Sequence, residues 1–135
     1  MLIVRLPFPP SLNHMWRHVG PRVLLSRGGR LYRQQVASIL NSQGIRPIVG
    51  PLELRLDLYP PDRRRRDCDN SQKAMLDSLQ HGGAYIDDSQ IKHLDTWMHE
   101  PVPGGLAIVR LQRFTPPPEA DSHVPPTPFP QTPST

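Results

Sequence analysis

Proline divides this chain into a part that can fold and a part that cannot. Eight of the eighteen prolines lie between Thr115 and Thr135, a segment without lysine or arginine. Beyond Val124, its one large apolar side chain is Phe129. Such a segment buries too little apolar surface to offset the entropy of ordering it. We therefore expect one ordinary domain over residues 1–114 and a proline-rich, disordered tail over residues 115–135.

The basic residues are almost all arginine. All sixteen Lys and Arg residues precede the tail, with ten of the twelve acidic residues, and fourteen of the sixteen are Arg. A guanidinium group makes forked contacts with phosphate, so this composition suits a polyanionic partner. Replacement of Lys by Arg in a GC-rich coding sequence explains the composition equally well. The arginines at 63–66 could also pair with Glu53, Asp57 or Asp62 as a solvated charge cluster.

Cysteine usage and hydropathy indicate the compartment. Cys68 is the only cysteine, so no intrachain disulfide can form, which fits a reducing cytosol. No apolar run approaches the length of a membrane span, and residues 1–5 lack the organisation of a signal peptide. We expect a soluble, cytoplasmic protein.

Hydrophobic spacing predicts an α+β fold. The clearest element is a half-buried strand in which Leu52, Leu54, Leu56 and Leu58 alternate with polar residues. Apolar patterns predict further strands over residues 2–6, 23–25, 90–97 and 106–114, and helices over residues 30–42 and from about 69 to 82. Turn residues 101–105 predict that the last two strands form an antiparallel pair. The expected fold is a single small domain with a mixed, largely antiparallel sheet and two main helices.

An Asp-x-Asp motif marks the start of the second helix. In an extended conformation Asp67 and Asp69 project to one side, where they could share a divalent cation. Lys73 follows one helical turn later, and its ammonium could stabilise charge on a phosphate under attack or position a water. Alternatively, Asp69 and Asn70 simply cap the helix. The basic run at residues 63–66, directly before the motif, favours metal binding.

A second acidic pair, Asp87 and Asp88, follows this helix. A chain that returns through Gly82 and Gly83 can bring Asp88 toward Asp67 and Asp69. Three carboxylates, with waters and a phosphate oxygen, constitute a Mg²⁺ site rather than a zinc site. By itself, the second pair is more typical of a turn.

The other polar candidates carry weaker signals. Asp77 is expected to cap or pair structurally rather than bind metal. His14 and His18 are four residues apart, but no further ligand completes a zinc set, so we interpret the six histidines as non-ligands. His14 and His18 remain candidate phosphate contacts.

Four segments resemble the RusA-type Holliday junction resolvases. Residues 9–17, Pro-Pro-Ser-Leu-Asn-His-Met-Trp-Arg, resemble that family's Pro-Pro-Ser-x-Asn-x-x-aromatic-Arg opening. Residues 66–73, Arg-Asp-Cys-Asp-Asn-Ser-Gln-Lys, resemble its Arg-Asp-x-Asp-Asn-x-x-Lys core, and residues 76–79 and 85–91 resemble the segments that follow. Order and spacing hold over residues 1–114. Cys68 stands where a larger aliphatic residue is expected, and the proline-rich tail has no counterpart.

The resemblance implies a homodimeric endonuclease that needs Mg²⁺, for which Mn²⁺ could substitute. It would resolve four-way DNA junctions by paired symmetric nicks in phage or prophage recombination and repair, in a bacterial or phage-infected cell. The implied metal ligands are Asp67, Asp69 and Asp88, and Lys73 completes the catalytic set. The expected DNA contacts are Asn13, Arg17, Arg63, Arg64, Arg65 and Arg66.

Two other functions fit the same residues. One is a branched-DNA nuclease of looser specificity. The other is a non-catalytic DNA-binding protein that uses the basic loop and keeps its acids for folding. Carboxylates beside phosphate would weaken mere binding, so Asp67, Asp69, Asp88 and Lys73 together argue for catalysis.

Overall fold

The computed structural model describes residues 1–118 and 127–132, except for the side chains of Leu12 and Asn13. In this part, the strands are β1 (Leu2–Leu6), β2 (Trp16–Val19), β3 (Arg22–Leu25), β4 (Leu52–Tyr59), β5 (Ile91–Met98) and β6 (Leu106–Arg113). The helices are α1 (Leu12–Met15), α2 (Arg27–Ser42) and α3 (Cys68–His81), and a 3-10 turn covers Asp88–Gln90. The predicted tail lies partly outside the described residues, and its described stretches, 115–118 and 127–132, form neither helix nor strand.

Four strands form the main sheet, in the order β1-β6-β4-β5. β6 pairs antiparallel with both β1 and β4, whereas β4 and β5 are parallel. The structure thus confirms the α+β class, with a mixed, largely antiparallel sheet and two main helices.

The predicted pairing of the last two strands is wrong. β5 and β6 lie on opposite sides of β4, because α3 carries the chain across the sheet and returns it parallel to β4. Residues 99–105 then cross the end of β4, where the amides of His99 and Val102 donate to the carbonyls of Leu58 (2.8 Å) and Pro60 (2.9 Å). The turn residues serve this crossing and make no hairpin.

One face of the sheet carries the core. The four leucines of β4 are at most 3% exposed and belong to one apolar cluster with residues of α2 and α3, namely Tyr32, Val36, Leu40, Met75 and Leu79. This burial supplies most of the driving force for folding. No helix in the described part is long and apolar enough to cross a membrane.

The N-terminal region contains elements that the sequence did not predict. α2 begins three residues earlier than expected, because the hydroxyl of Ser26 caps it by accepting from the amide of Gly29 at 2.9 Å. α1 packs so closely on this end that a Cβ at Gly29 would lie 2.4 Å from the carbonyl oxygen of Met15. β2 and β3 then form a separate antiparallel hairpin. α1 and β2 have four residues each, too few for a hydrophobic period.

Candidate active site

The Asp-x-Asp motif forms the beginning of α3. Asp67 has an extended backbone, and its Oδ1 accepts from the amide of Asp69 at 3.0 Å, so Asp67 is the N-cap. The cap considered for Asp69 and Asn70 therefore belongs to Asp67, and Asp69 lies in the first turn. A carboxylate here also interacts favourably with the helix dipole.

A cavity of about 670 Å³ gathers three of the four predicted catalytic residues. Asp69, Lys73 and Asp88 all line it, and none of the three forms an ion pair with a described residue. Asp67 lines a neighbouring cavity of about 550 Å³ instead. Asn70 borders both cavities. The structure therefore brings Asp88 to Asp69 and places Asp67 around the helix end.

The return segment after α3 places Asp88. The hydroxyl of Tyr85 donates to the carbonyl of Leu76 at 2.8 Å, and the amide of Asp88 donates to Oε1 of Gln80 at 2.9 Å. Asp87 caps the 3-10 turn by accepting from the amide of Ser89, a hydrogen bond that holds the pKa of Asp87 below its usual range. In the second pair, as in the first, one acid caps and the other lines the cavity.

Gln90 fixes the other end of this segment. Its Oε1 accepts from the amides of Ile86 and Asp87, and its Nε2 donates to the carbonyls of Ile48 and Gly50, at 2.9 to 3.0 Å. These four bonds tie the segment to the loop before β4. Asp88 is therefore positioned by hydrogen bonds to its own amide and to the amides of its neighbours.

Trp16 contacts the predicted catalytic lysine. The Nζ atom of Lys73 lies 5.9 Å from the Trp16 ring centroid, and Cζ of Arg33 lies at the same distance. Arg33 in turn forms a two-point ion pair with Asp77, at 2.7 and 2.8 Å. The structural pairing predicted for Asp77 is confirmed. In the sequence, Trp16 is simply the aromatic residue of the opening motif, and nothing in that motif indicates proximity to Lys73.

The lining of the Asp69 cavity fits a hard divalent cation. Among the described residues, its possible donors include no cysteine or histidine; they are the carboxylates and amides of Asp69, Asn70, Gln72, Asp77, Gln80 and Asp88. In the described part, no three acidic, His or Cys side chains converge as a ready metal cluster. Mg²⁺ does not require one, since it often binds through one or two carboxylates, with waters and substrate phosphates as the other ligands. The oxygen donors present fit Mg²⁺ rather than zinc.

The arginines of the loop before α3 differ in their surroundings. Arg66 is the most buried, with 19% side-chain exposure, and donates to the carboxylate and the carbonyl of Asp62 at 2.8 and 3.0 Å. This bond from Arg66, with one from the amide of Arg64, holds the pKa of Asp62 below its usual range. Arg63 pairs with Glu100 at 2.9 Å. Arg65 lines the Asp67 cavity and has no ion-pair partner in the described part.

The remaining predicted DNA contacts lie near the opening motif. The side chain of Asn13 is outside the described residues. Arg17, His14 and His18 are exposed. Arg17 lines neither the Asp69 nor the Asp67 cavity but a third one beside α2.

Comparison with known proteins assigns the chain to a family. Residues 7–108 match the profile of the family described as Endodeoxyribonuclease RusA. Among curated proteins, the chain is similar to the Crossover junction endodeoxyribonuclease RusA of Escherichia coli (strain K12) and that of Enterobacteria phage 82. Each is 40% identical over 89 residues, which cover 65% of this chain and 74% of the relative. The enzyme of that name from Enterobacteria phage HK97 is 40% identical over 108 residues, 78% of this chain and 89% of the relative. A match of this extent places the chain in the RusA family of endodeoxyribonucleases.

Proposed function

We propose that this chain resolves four-way DNA junctions by paired symmetric nicks, with Asp67, Asp69, Lys73 and Asp88 as its catalytic residues. One observation carries the proposal. Asp77, in the lining of the Asp69 cavity, is paired with Arg33. Asp69, Lys73 and Asp88 line the same cavity and form no ion pair with a described residue. Unpaired charged groups of this kind contribute nothing to stability, but they are suited to binding a cation together with a phosphate.

Each residue has a distinct part in phosphodiester hydrolysis. Asp69 and Asp88 would hold a divalent cation, and Asp67 would contribute the carboxylate oxygen that the helix cap leaves free. Bound there, Mg²⁺ or Mn²⁺ lowers the pKa of a water and polarises the phosphate. Lys73 would donate to the phosphate and stabilise the charge that accumulates during attack. Its ammonium lies over Trp16, which limits its positions.

The decisive test uses a labelled synthetic four-way junction, a forked duplex and a linear duplex of matched sequence. With Mg²⁺ we expect nicks at symmetric positions in two opposed strands of the junction and little cutting of the linear duplex. EDTA should stop the reaction, and Mn²⁺ should support it. Equal cutting of the forked duplex would instead indicate a looser branched-DNA specificity, and no metal-dependent cutting of any substrate would refute the proposal.

We further propose that the active species is a two-fold dimer. A junction has two strands to cut, whereas each chain has one set of carboxylates, so two chains related by symmetry supply the two sites. The last strands, around Trp97, Ile108 and Leu111, are the candidate interface. Leu111 is 1% exposed and belongs to the core, whereas Trp97 is 52% exposed on the sheet face away from the helices.

Light scattering and a supercoiled cruciform plasmid test the dimer. We expect twice the monomer mass at working concentration and a linear product formed by two nicks within one binding event. Addition of an inactive Asp69→Asn chain in excess should produce mixed dimers that leave nicked circles. A protein that stays monomeric and yet converts the plasmid directly to the linear form would contradict the dimer.

A further inference from the structure

The third cavity, beside α2, lies next to the carboxylate site, and basic side chains line it. It measures about 480 Å³, and its walls contain three arginines and one histidine, with Gln34 and two leucines; the basic residues are Arg17, Arg30, Arg33 and His81. None of the described residues that line it is acidic. The cavity therefore presents donors and positive charge, although Arg33 is paired with Asp77 outside its lining.

The sequence around this cavity is free of acidic residues over a long stretch. The first acid of the chain is Glu53, so α1, α2 and the β2–β3 hairpin contain neither Asp nor Glu. Some arginines outside this stretch are paired with acids, for example Arg63 with Glu100 and Arg66 with Asp62. The described residues supply one carboxylate partner to this group, Asp77, which pairs with Arg33.

Two of the arginines are held in place by the protein. Nη1 of Arg30 donates to the carbonyl of Leu25 at 3.0 Å. Arg33 is fixed by its two-point pair with Asp77. A guanidinium has five N–H groups, so both side chains keep donors for a ligand. Because these groups are already ordered, binding an anion costs them little conformational entropy.

The same ion pair joins this cavity to the carboxylate site. Asp77 lines the cavity of Asp69 and Asp88, whereas Arg33 lines the basic one. Nε of Arg33 is 2.7 Å from the Asp77 carboxylate, so the pair forms a wall between the two cavities. Trp16 and Arg17, neighbours on β2, likewise line one cavity each.

We propose that this arginine cavity binds a backbone phosphate of the DNA strand whose scissile phosphate lies at the carboxylate cavity. The assignment rests on the proposed function. Arginine forks match phosphate geometry, and contacts of this kind position a strand without reading its sequence. A strand held at both cavities would have its scissile linkage fixed relative to Asp69, Lys73 and Asp88.

Binding can be measured without cleavage by fluorescence anisotropy of a labelled four-way junction in EDTA, over a series of salt concentrations. The test variant is Arg17→Ala with Arg30→Ala. The matched control is Arg5→Ala with Arg46→Ala, which removes the same charge from exposed positions outside the cavity. We expect about tenfold weaker binding in the test variant, with a salt slope reduced by about one for each phosphate that is no longer neutralised, and a smaller change in the control. Equally weakened binding in both variants would overturn the proposal.

Neutral methylphosphonate linkages, placed singly along the strand, locate the phosphate that the cavity binds. One near the cleavage position should weaken binding of the wild type and have no further effect on the test variant. If each methylphosphonate that weakens binding does so equally in the wild type and in the test variant, the cavity does not contact DNA. Replacing both arginines with Lys should restore part of the affinity, and thermal melts would exclude misfolding. If the wild type does not cleave the junction but the methylphosphonate effect still depends on Arg17 and Arg30, the proposed function is refuted and the DNA contact is not.

Discussion

Acidic residues on opposite sides of the main sheet differ in how many ion pairs they form with the protein. On the face away from the helices, Asp57 is 3% exposed and accepts from Arg55 at 3.0 and 3.1 Å, from Arg110 at 2.5 Å and from His99 at 2.7 Å. In the carboxylate cavity, Asp69 and Asp88 are exposed and form no ion pair with described residues. Protein donors fill the acceptor positions of Asp57, whereas Asp69 and Asp88 keep theirs for a ligand.

Burial and hydrogen bonding oppose each other at Asp57. Desolvation raises its pKa, but the bonds from Arg55 and His99 and the charge of Arg110 outweigh this effect, so the pKa lies below the usual range. Asp57 was among the possible partners predicted for the loop arginines 63–66. That alternative is wrong for Asp57, because β4 pairs with β6 and so brings Arg110 to it. The comparison teaches that pairing, more than residue type, separates a structural acid from a candidate ligand.

The largest effect is expected from the unpaired acids. Asp69→Asn or Asp88→Asn should lower the cleavage rate by about 10³-fold or more, because a bound cation supplies several kcal/mol of transition-state stabilisation. Junction affinity in EDTA should change little. Asp95→Asn, at an exposed position on the other sheet face, is the control and should cut normally. A wild-type rate in either cavity variant would remove that residue from the catalytic set.

Asp67 separates capping from catalysis. Asparagine caps a helix about as well as aspartate, so Asp67→Asn should keep the melting temperature and lose cleavage. Asp67→Ala should lose both, with a decrease in the free energy of unfolding of about 1 kcal/mol. Normal cleavage by Asp67→Asn would show that this acid has a structural role alone.

The paired acid should show the opposite behaviour. Asp57→Asn leaves Arg55, Arg110 and His99 without their charged acceptor, and we expect the free energy of unfolding to fall by about 2 kcal/mol at pH 7. Cleavage per folded molecule should be unchanged. Because the folded-state pKa of Asp57 is lowered, its contribution is fully present above the unfolded value of about 3.9 and is lost as the pH falls through the folded value. Denaturant melts should therefore converge for the two proteins at the acid end.

The loop arginines extend the comparison to basic residues. Arg64→Ala with Arg65→Ala should weaken junction binding about tenfold and reduce its salt dependence, because both side chains are exposed and Arg65 is unpaired in the described part. Arg66→Ala should mainly destabilise the loop, since Arg66 organises Asp62. Anisotropy titrations and thermal melts distinguish these results. An unchanged salt slope in the double variant would mean that the loop does not contact DNA.

A smaller effect is expected at Trp16. Trp16→Leu removes the aromatic ring beneath Lys73, an interaction of about 1 kcal/mol, and should slow cleavage about fivefold with little change in affinity. Trp16→Phe should recover most of the rate. In a Lys73→Ala background, Trp16→Leu should have no further effect on rate. An additional decrease there would mean that Trp16 acts independently of the lysine.

The sequence predicted the elements whose side chains repeat over several turns or strand positions. Periodicity located α2, α3, β4 and the other strands of the main sheet. Residue type with spacing selected Asp69, Lys73 and Asp88 as candidates, and the structure places all three in the lining of one cavity. The sequence could not predict the position of β6, because the turn residues of a hairpin are the same as those of a connection that crosses the end of β4. The pairing of Asp57 and the role of Trp16 also depend on tertiary contacts between distant segments. The absence of acidic residues from positions 1–52 was a sequence signal for the arginine cavity, because segregation of charge is visible in the sequence alone.

The tail should have the smallest effect of all. It holds two further acids, Glu119 and Asp121, which lie outside the described residues, while the described Phe129 is 90% exposed. A segment without lysine or arginine has no cation to offer phosphate, and little apolar surface with which to join the core. Deletion of residues 116–135 should therefore leave the melting temperature, the oligomeric mass and junction cleavage close to those of the full chain. A shorter deletion of residues 127–135 tests whether any effect arises from residues 116–126 or from residues 127–135. A large fall in stability or in dimer mass on either truncation would show that the tail docks on the domain, and its acids would then need partners of their own.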